Sequence, residues 1–264
     1  MSVLLHFSDT HFGTEQPAVV QALKAFAHAM QPELVVLTGD ITQRARRAEF
    51  AAAATFAQDL GAKVLALPGN HDIPLFNVTA RVFHPYSGFR AAFGAQTEQV
   101  YSSSDFLVLC VNTTRAYRHR HGEISPEQIE RVAAELERAS PKQLRVVAVH
   151  QPIDTPYPAE LMHRVRGHEQ AQRRWAQAGA DVVIGGHIHL PYVMALSGLA
   201  RPMWAVQAGT AVSRRVRAGA PNSVNLIRWG VGSPAGVCTV EQWDYDAQAQ
   251  TFVRQKVYDI ALAR

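Results

Sequence analysis

The chain has 264 residues, 26 Lys+Arg against 22 Asp+Glu (a formal charge of +4), 47% hydrophobic and 18% charged residues. This length buries a sizeable core without staples, and the composition excludes an intrinsically disordered chain, a collagen-like repeat and a disulfide scaffold. Only two cysteines occur, Cys110 and Cys238, both in apolar stretches, and they read as buried fillers in a reducing, cytoplasmic compartment.

The opening run Val3–Phe7 lacks the length and basic lead-in of a signal peptide, and no stretch approaches the roughly 20 apolar residues of a membrane span. Val3–Ser8 reads as a strand leading into Asp9 and His11. Pro17–Met30 has helical spacing, Leu34–Leu37 is a second strand ending at Gly39-Asp40, and Ala45–Leu60 is a helix stopped by Gly61. Val64–Leu67 runs into Gly69-Asn70-His71-Asp72. Residues 73–100 lack a clean period and read as a cap or lid, with Phe76, Phe83 and Phe89 taken as an exposed apolar surface. Phe106–Val111 is a strand, Pro126–Ala139 a helix capped by Ser125, and Leu144–Val149 a strand reaching His150. Val182–Ile184 leads into Gly186-His187-Ile188-His189, with His163 and His168 left in a solvated loop before it. The short runs after residue 190 read as antiparallel strands completing a second sheet. One domain over residues 1–264 is the expected organisation.

Apolar strands alternating with helices at roughly 30-residue spacing predict parallel βαβ units. Ligands then gather outside the carboxyl ends of the strands, where five ends present Asp9, His11, Asp40, Asn70, His71, Asp72, His150, His187 and His189. Any one of these residues alone reads as a cap or a satisfied buried group. Together they leave charge above aliphatic strands that needs compensation. Mixed oxygen and nitrogen donors suit Mn, Fe, Co or Zn, and seven donors exceed one tetrahedral ion, so two ions are the natural count. Arg44–Arg47, Arg118–Arg120 and Arg214–Arg217 are the densest basic patches. Each reads as a solvated loop, with a phosphate contact by the run Arg118–His121 as the sharper alternative. A nucleic-acid partner is not favoured, and oligomeric state is not legible.

The blocks Asp9-x-His11, Gly39-Asp40, Gly69-Asn70-His71-Asp72, His150 and Gly186-His187-x-His189 resemble, in order, the signature of calcineurin-like metallophosphoesterases. The resemblance implies an α/β, four-layered αββα sandwich with two mixed sheets and a dinuclear site at the strand ends. It implies Asp9, His11 and His189 on one metal, Asn70, His150 and His187 on the other, and Asp40 bridging, with the two ions divalent or mixed-valence (Mn, Fe, Zn or Co). It further implies a bridging hydroxide attacking phosphorus, Asn70 and His71 meeting the substrate, His71 as proton donor and Asp72 orienting His71. Gln43 stands where purple acid phosphatases carry Tyr, and the stretches Gly69–Leu75, Gly209-Thr210-Ala211 and Asn222–Asn225 are most similar to class III cyclic nucleotide phosphodiesterases. The implied substrate is a small phosphodiester such as cyclic AMP. A nuclease, a nucleotide-lipid pyrophosphate hydrolase or a phosphomonoesterase on the same metals stay as alternatives, the last needing Arg118 or Arg120 as a clamp. A non-catalytic scaffold would lack ligands, and none is lacking.

Overall fold

A computed structural model describes residues 1–232 and 236–263. Strand β1 (Ser2–Phe7), helix α1 (Pro17–Met30), β2 (Leu34–Leu37), α2 (Arg47–Gln58) and β3 (Lys63–Ala66) form a parallel βαβαβ run. Two short helices follow, α3 (Val78–Phe83) and α4 (Ser87–Phe93), then β4 (Val100–Ser102), β5 (Phe106–Cys110), α5 (Pro126–Glu137) and β6 (Leu144–Ala148). Helix α6 (His168–Ala178) leads to β7 (Val182–Gly185), β8 (Tyr192–Ala195), β9 (Trp204–Gln207), β10 (Ser223–Trp229), β11 (Val237–Asp246) and β12 (Thr251–Ala261).

The strands make two six-stranded sheets, ordered β12-β11-β10-β1-β2-β3 and β4-β5-β6-β7-β9-β8. Leu4, Leu34, Val36, Val108, Val146 and Ile184 face one another between the sheets. Val19, Leu23 and Phe56 of α1 and α2 cover the outer face of the first sheet, and Ile129, Val132 and Trp175 of α5 and α6 cover that of the second. The result is the expected αββα sandwich. Both cysteines lie in the inter-sheet core, where burial pushes the Cys110 thiol up to about 12 and leaves it inert.

Four local readings change. First, β10–β12 attach to β1 and complete the first sheet, while β9 extends the second sheet parallel to β7. Their alternating pattern fixes strand character but not partner. Second, α2 starts at Arg47, because Ala45 is left-handed (φ 54°) and Glu49 accepts the backbone N–H groups of Arg44 and Arg46 at 2.8 and 3.2 Å. Third, residues 168–178 are helical, bracketed by left-handed Gly167 and Gly179, with Ala171, Trp175 and Ala178 at helical spacing on the buried face. Fourth, Phe89 is fully buried and packs α4 against α2, whereas Phe76 and Phe83 are exposed.

Candidate metal centre

The loops after β1, β2, β3, β6 and β7 meet at one end of the sandwich. They are laced together by backbone bonds: Asp9 N–H donates to the Gly39 carbonyl, His11 N–H to Asp40 and Gly186 N–H to His150, at 3.0, 3.0 and 2.9 Å. Asp9, His11, Asp40, His187 and His189 all have left-handed backbones, with φ from 42° to 78°. Each such residue costs on the order of 1–2 kcal/mol, and their clustering marks where the fold accepts strain to aim side chains inward.

Two groups of donors result. Asp9, His11 and His189 offer ligand atoms within 4.8 Å of one another, and so do Asp40, His150 and His187. Asp40 links them: one carboxylate oxygen lies 3.8 Å from His11 Nε2 and the other 3.3 Å from His150 Nε2. The side-chain oxygen of Asn70 stands 3.3 Å from His150 Nε2. Thus the seven residues expected as ligands lie together at one end of the sandwich.

The outward nitrogens are fixed as a metal site requires. His150 Nδ1 donates to the Thr38 carbonyl at 2.7 Å, leaving Nε2 for the cluster. His189 Nδ1 bonds the Thr210 hydroxyl, which itself donates to the Arg215 carbonyl at 2.8 Å. His189 Nε2 therefore faces Asp9, 3.5 Å away. Burial lowers the imidazoles of His187 and His189, to about 3 and about 4, so both present lone pairs. Burial alone would raise the Asp9 and Asp40 carboxyls, but the surrounding histidines hold both well below the usual range. The buried atoms Asp9 Oδ1, both ring nitrogens of His11 and His187 Nδ1 have no hydrogen-bond partner. Orphaned, buried, mixed oxygen and nitrogen donors fit divalent transition metals.

A third grouping, His11, Asp40 and His71, also lies within ligand range. His71 is otherwise engaged, however. Its Nδ1 is 3.0 Å from the Gln43 carbonyl, and its Nε2 is 3.4 Å from an Arg215 guanidinium nitrogen. A fixed cation beside Nε2 disfavours a second one there.

Asp72 does not reach the His71 ring. Its carboxylate accepts backbone N–H groups from Ile41, Thr42 and Gly69 at 3.0, 2.8 and 2.8 Å, plus the Thr42 hydroxyl at 2.8 Å. Burial, with Asp40 nearby, pushes Asp72 up to about 6 against those donors. The orienting group of His71 is the Gln43 carbonyl, and Asp72 instead ties the β2 and β3 loops together.

The centre floors a cavity of about 540 Å³, walled by Gln43, Arg44, His119, Arg120, His163, Arg215 and Arg217. Each of the three basic patches read as solvated loops therefore sends a guanidinium to its wall. Arg118 turns aside to Glu123 at 2.9 Å, so Arg120 alone keeps the clamp position of the pair. His163, expected in a solvated loop, packs its ring 5.4 Å from that of His187. No residue of 73–100 lines this cavity. That segment instead braces its wall, Arg81 donating to the Arg118 carbonyl at 2.7 Å.

Gly186 shows how tightly the floor is built. A Cβ there would collide with the Ser8 hydroxyl and the Asp9 carboxylate. Gly186→Ala is expected to displace Asp9, which thermal melts with and without manganese check. The variant should lose most of the metal-induced rise in Tm that the parent protein displays.

The α/β sandwich thus carries two donor sets linked by one aspartate at its strand ends. The family model for calcineurin-like phosphoesterases matches residues 2–191, and the chain belongs to that family, which uses a dinuclear metal site. Over 204 residues it is 27% identical to a cAMP/cGMP dual specificity phosphodiesterase of Mycobacterium tuberculosis, covering 71% of this chain and 61% of that relative. Among solved structures, a dimetal phosphatase from Danio rerio superposes with a TM-score of 0.67 at 12% identity, covering 99% of each chain. A purple acid phosphatase from yellow lupin gives 0.70 at 11% identity over 98% of this chain and 53% of that one. At such identities these likenesses concern the fold alone. Among the described residues no helix is long and apolar enough to cross a membrane.

Proposed function

We propose that the protein is a two-metal phosphodiester hydrolase acting on small phosphodiesters, cyclic nucleotides among them. In this reading Asp9, His11 and His189 would hold one ion, Asn70, His150 and His187 the second, and Asp40 would serve both; Mn, Fe, Zn and Co suit the donors. The observation that carries it is the position of Asp40 between two donor sets on the floor of an open, arginine-walled cavity. The named relative supports cyclic nucleotides as the class to try first.

Two divalent ions, when bound, supply Lewis acidity that activates water and neutralises charge on phosphoryl oxygens. The chain's own residues do the rest. His71 rests with Nδ1–H given to the Gln43 carbonyl and Nε2 free toward the cavity, its imidazole lowered by burial with Arg215 beside it; Nε2 would take up the proton released by the attacking water and pass it to the departing alkoxide. Asn70 fixes the scissile group beside it, and the Asp72 ties keep the loop carrying both in register with Asp40.

The test is AMP release from cyclic AMP by manganese-reconstituted protein. Metal-dependent release is expected. Hydrolysis of bis(p-nitrophenyl) phosphate without release of AMP would keep the diesterase and remove cyclic nucleotides. Inactivity on both would overturn the proposal.

A further inference from the structure

Charge on the cavity wall exceeds what a simple phosphodiester needs. Arg44, Arg120 and Arg215 reach the same cavity from three separate loops, following β2, β5 and β9. Among the described residues none of the three side chains forms an ion pair with a carboxylate, whereas neighbouring Arg217 is matched by Glu160 at 3.2 Å. Asp40 is, among the described residues, the one carboxylate that lines the cavity, and it is engaged with the histidines of the floor. A phosphodiester carries a single negative charge, which two divalent ions held by the floor residues would already balance. Three arginines without a carboxylate partner thus line one cavity, and an incoming anion meets their positive charge uncompensated by protein.

The loops that carry these arginines are tied down, and the Arg215 guanidinium is itself hydrogen-bonded. The Gln151 side-chain amide donates to the Arg120 carbonyl at 3.2 Å, and Arg81 anchors the same loop through Arg118. Arg215 donates to the Gln43 side chain at 3.0 Å, while Thr210 grips its carbonyl. Arg44 stands at the rim, lining this cavity and the adjacent hollow where its guanidinium lies 5.6 Å from the centre of the Phe76 ring. The Arg215 guanidinium, held in advance, suits phosphate recognition because its planar fork needs little further ordering, while exposed Arg44 and Arg120 can turn to meet the anion.

We infer that the wall formed by Arg44, Arg120 and Arg215 is a second anion subsite, and that the enzyme prefers phosphodiesters of nucleotides carrying an additional phosphate monoester. This rests on the diesterase reading for its substrate class. A cavity of about 540 Å³ has room for a nucleotide with both groups. Cyclic AMP, with one charge, engages the floor and leaves the wall unsatisfied.

The test pairs two esters with the same scissile bond and leaving group: thymidine 5′-(p-nitrophenyl phosphate) and its 3′-phosphorylated counterpart. The wild type should favour the second by about tenfold or more in kcat/KM, the size of one charge-assisted contact. Arg120→Gln and Arg44→Gln should each shrink that ratio severalfold, and Arg138→Gln, on the exposed end of α5, should leave it unchanged. Calorimetry supplies a reading independent of turnover: adenosine 3′,5′-bisphosphate should bind the manganese-loaded protein about tenfold tighter than 5′-AMP, with the gap narrowed in the same two variants. Equal affinities, or a gap untouched by both variants, would overturn the subsite. Failure of bis(p-nitrophenyl) phosphate hydrolysis with the calorimetric gap intact would instead strike the diesterase reading and leave the subsite standing.

Discussion

Asp40→Ala is expected to lower turnover by about a thousandfold or more, the equivalent of several kcal/mol of lost charge stabilisation. Of the seven donors, Asp40 is the one that touches both sets, with its two oxygens 3.8 Å from His11 and 3.3 Å from His150. It also accepts the His71 backbone N–H at 2.8 Å, so its removal loosens the residue assigned as proton donor. The variant should therefore lose metal and activity together while the distant inter-sheet core keeps the sandwich folded. Elemental analysis beside steady-state kinetics checks this, with circular dichroism as the control for folding. An Asp40→Ala protein that keeps full activity would remove the shared-ligand arrangement.

His71→Ala should behave differently. Its ring lies beside the floor, oriented by Gln43 and flanked by Arg215, so metal content should be unchanged. Turnover of substrates with poor leaving groups should fall by about 10²–10⁴-fold, the usual worth of a positioned general acid. A p-nitrophenyl ester, whose leaving group departs without a proton, should suffer far less. The measurement is the slope of log kcat against leaving-group pKa across a diester series, which should steepen in the variant. Equal slowing across the series would show that His71 positions substrate and does not deliver a proton.

The strand ends were the legible part of this sequence. Short aliphatic runs closing on Asp9, Asp40, Asn70, His150 and His187 announce both the sheets and the place where polar groups collect, because both properties are local. The partners of β10–β12 are not local. β10 pairs with β1 across more than two hundred residues of chain, and an alternating pattern cannot say which sheet edge it will meet. Helix α6 carried a usable signal, Gly179 after Ala171, Trp175 and Ala178, that its otherwise polar composition concealed. Phe89 and Phe76 look alike in sequence, and packing of α4 on α2 buries one and leaves the other in solvent. Within the site, the side-chain partner of Asp72 could not be read from its neighbour, since a short 3-10 turn sends Asp72 beneath the loops and His71 toward Gln43. The arginines were the largest omission. Three basic patches far apart in sequence look solvated one by one, and only the fold brings Arg44, Arg120 and Arg215 to one wall.

Thr210 illustrates an intermediate case. It belongs to the Gly209-Thr210-Ala211 stretch, noticed for its likeness to cyclic nucleotide phosphodiesterases, yet its work is physical: it holds His189 through Nδ1 and Arg215 through a carbonyl. One hydroxyl thus couples the metal floor to the cationic wall.

The most direct measurement is the metal-to-protein ratio of apo-protein titrated with manganese, followed by elemental analysis and by activity in the same samples. The account predicts that activity rises until about two ions are bound per chain and then levels off. Saturation of both binding and activity at one ion per chain would contradict it.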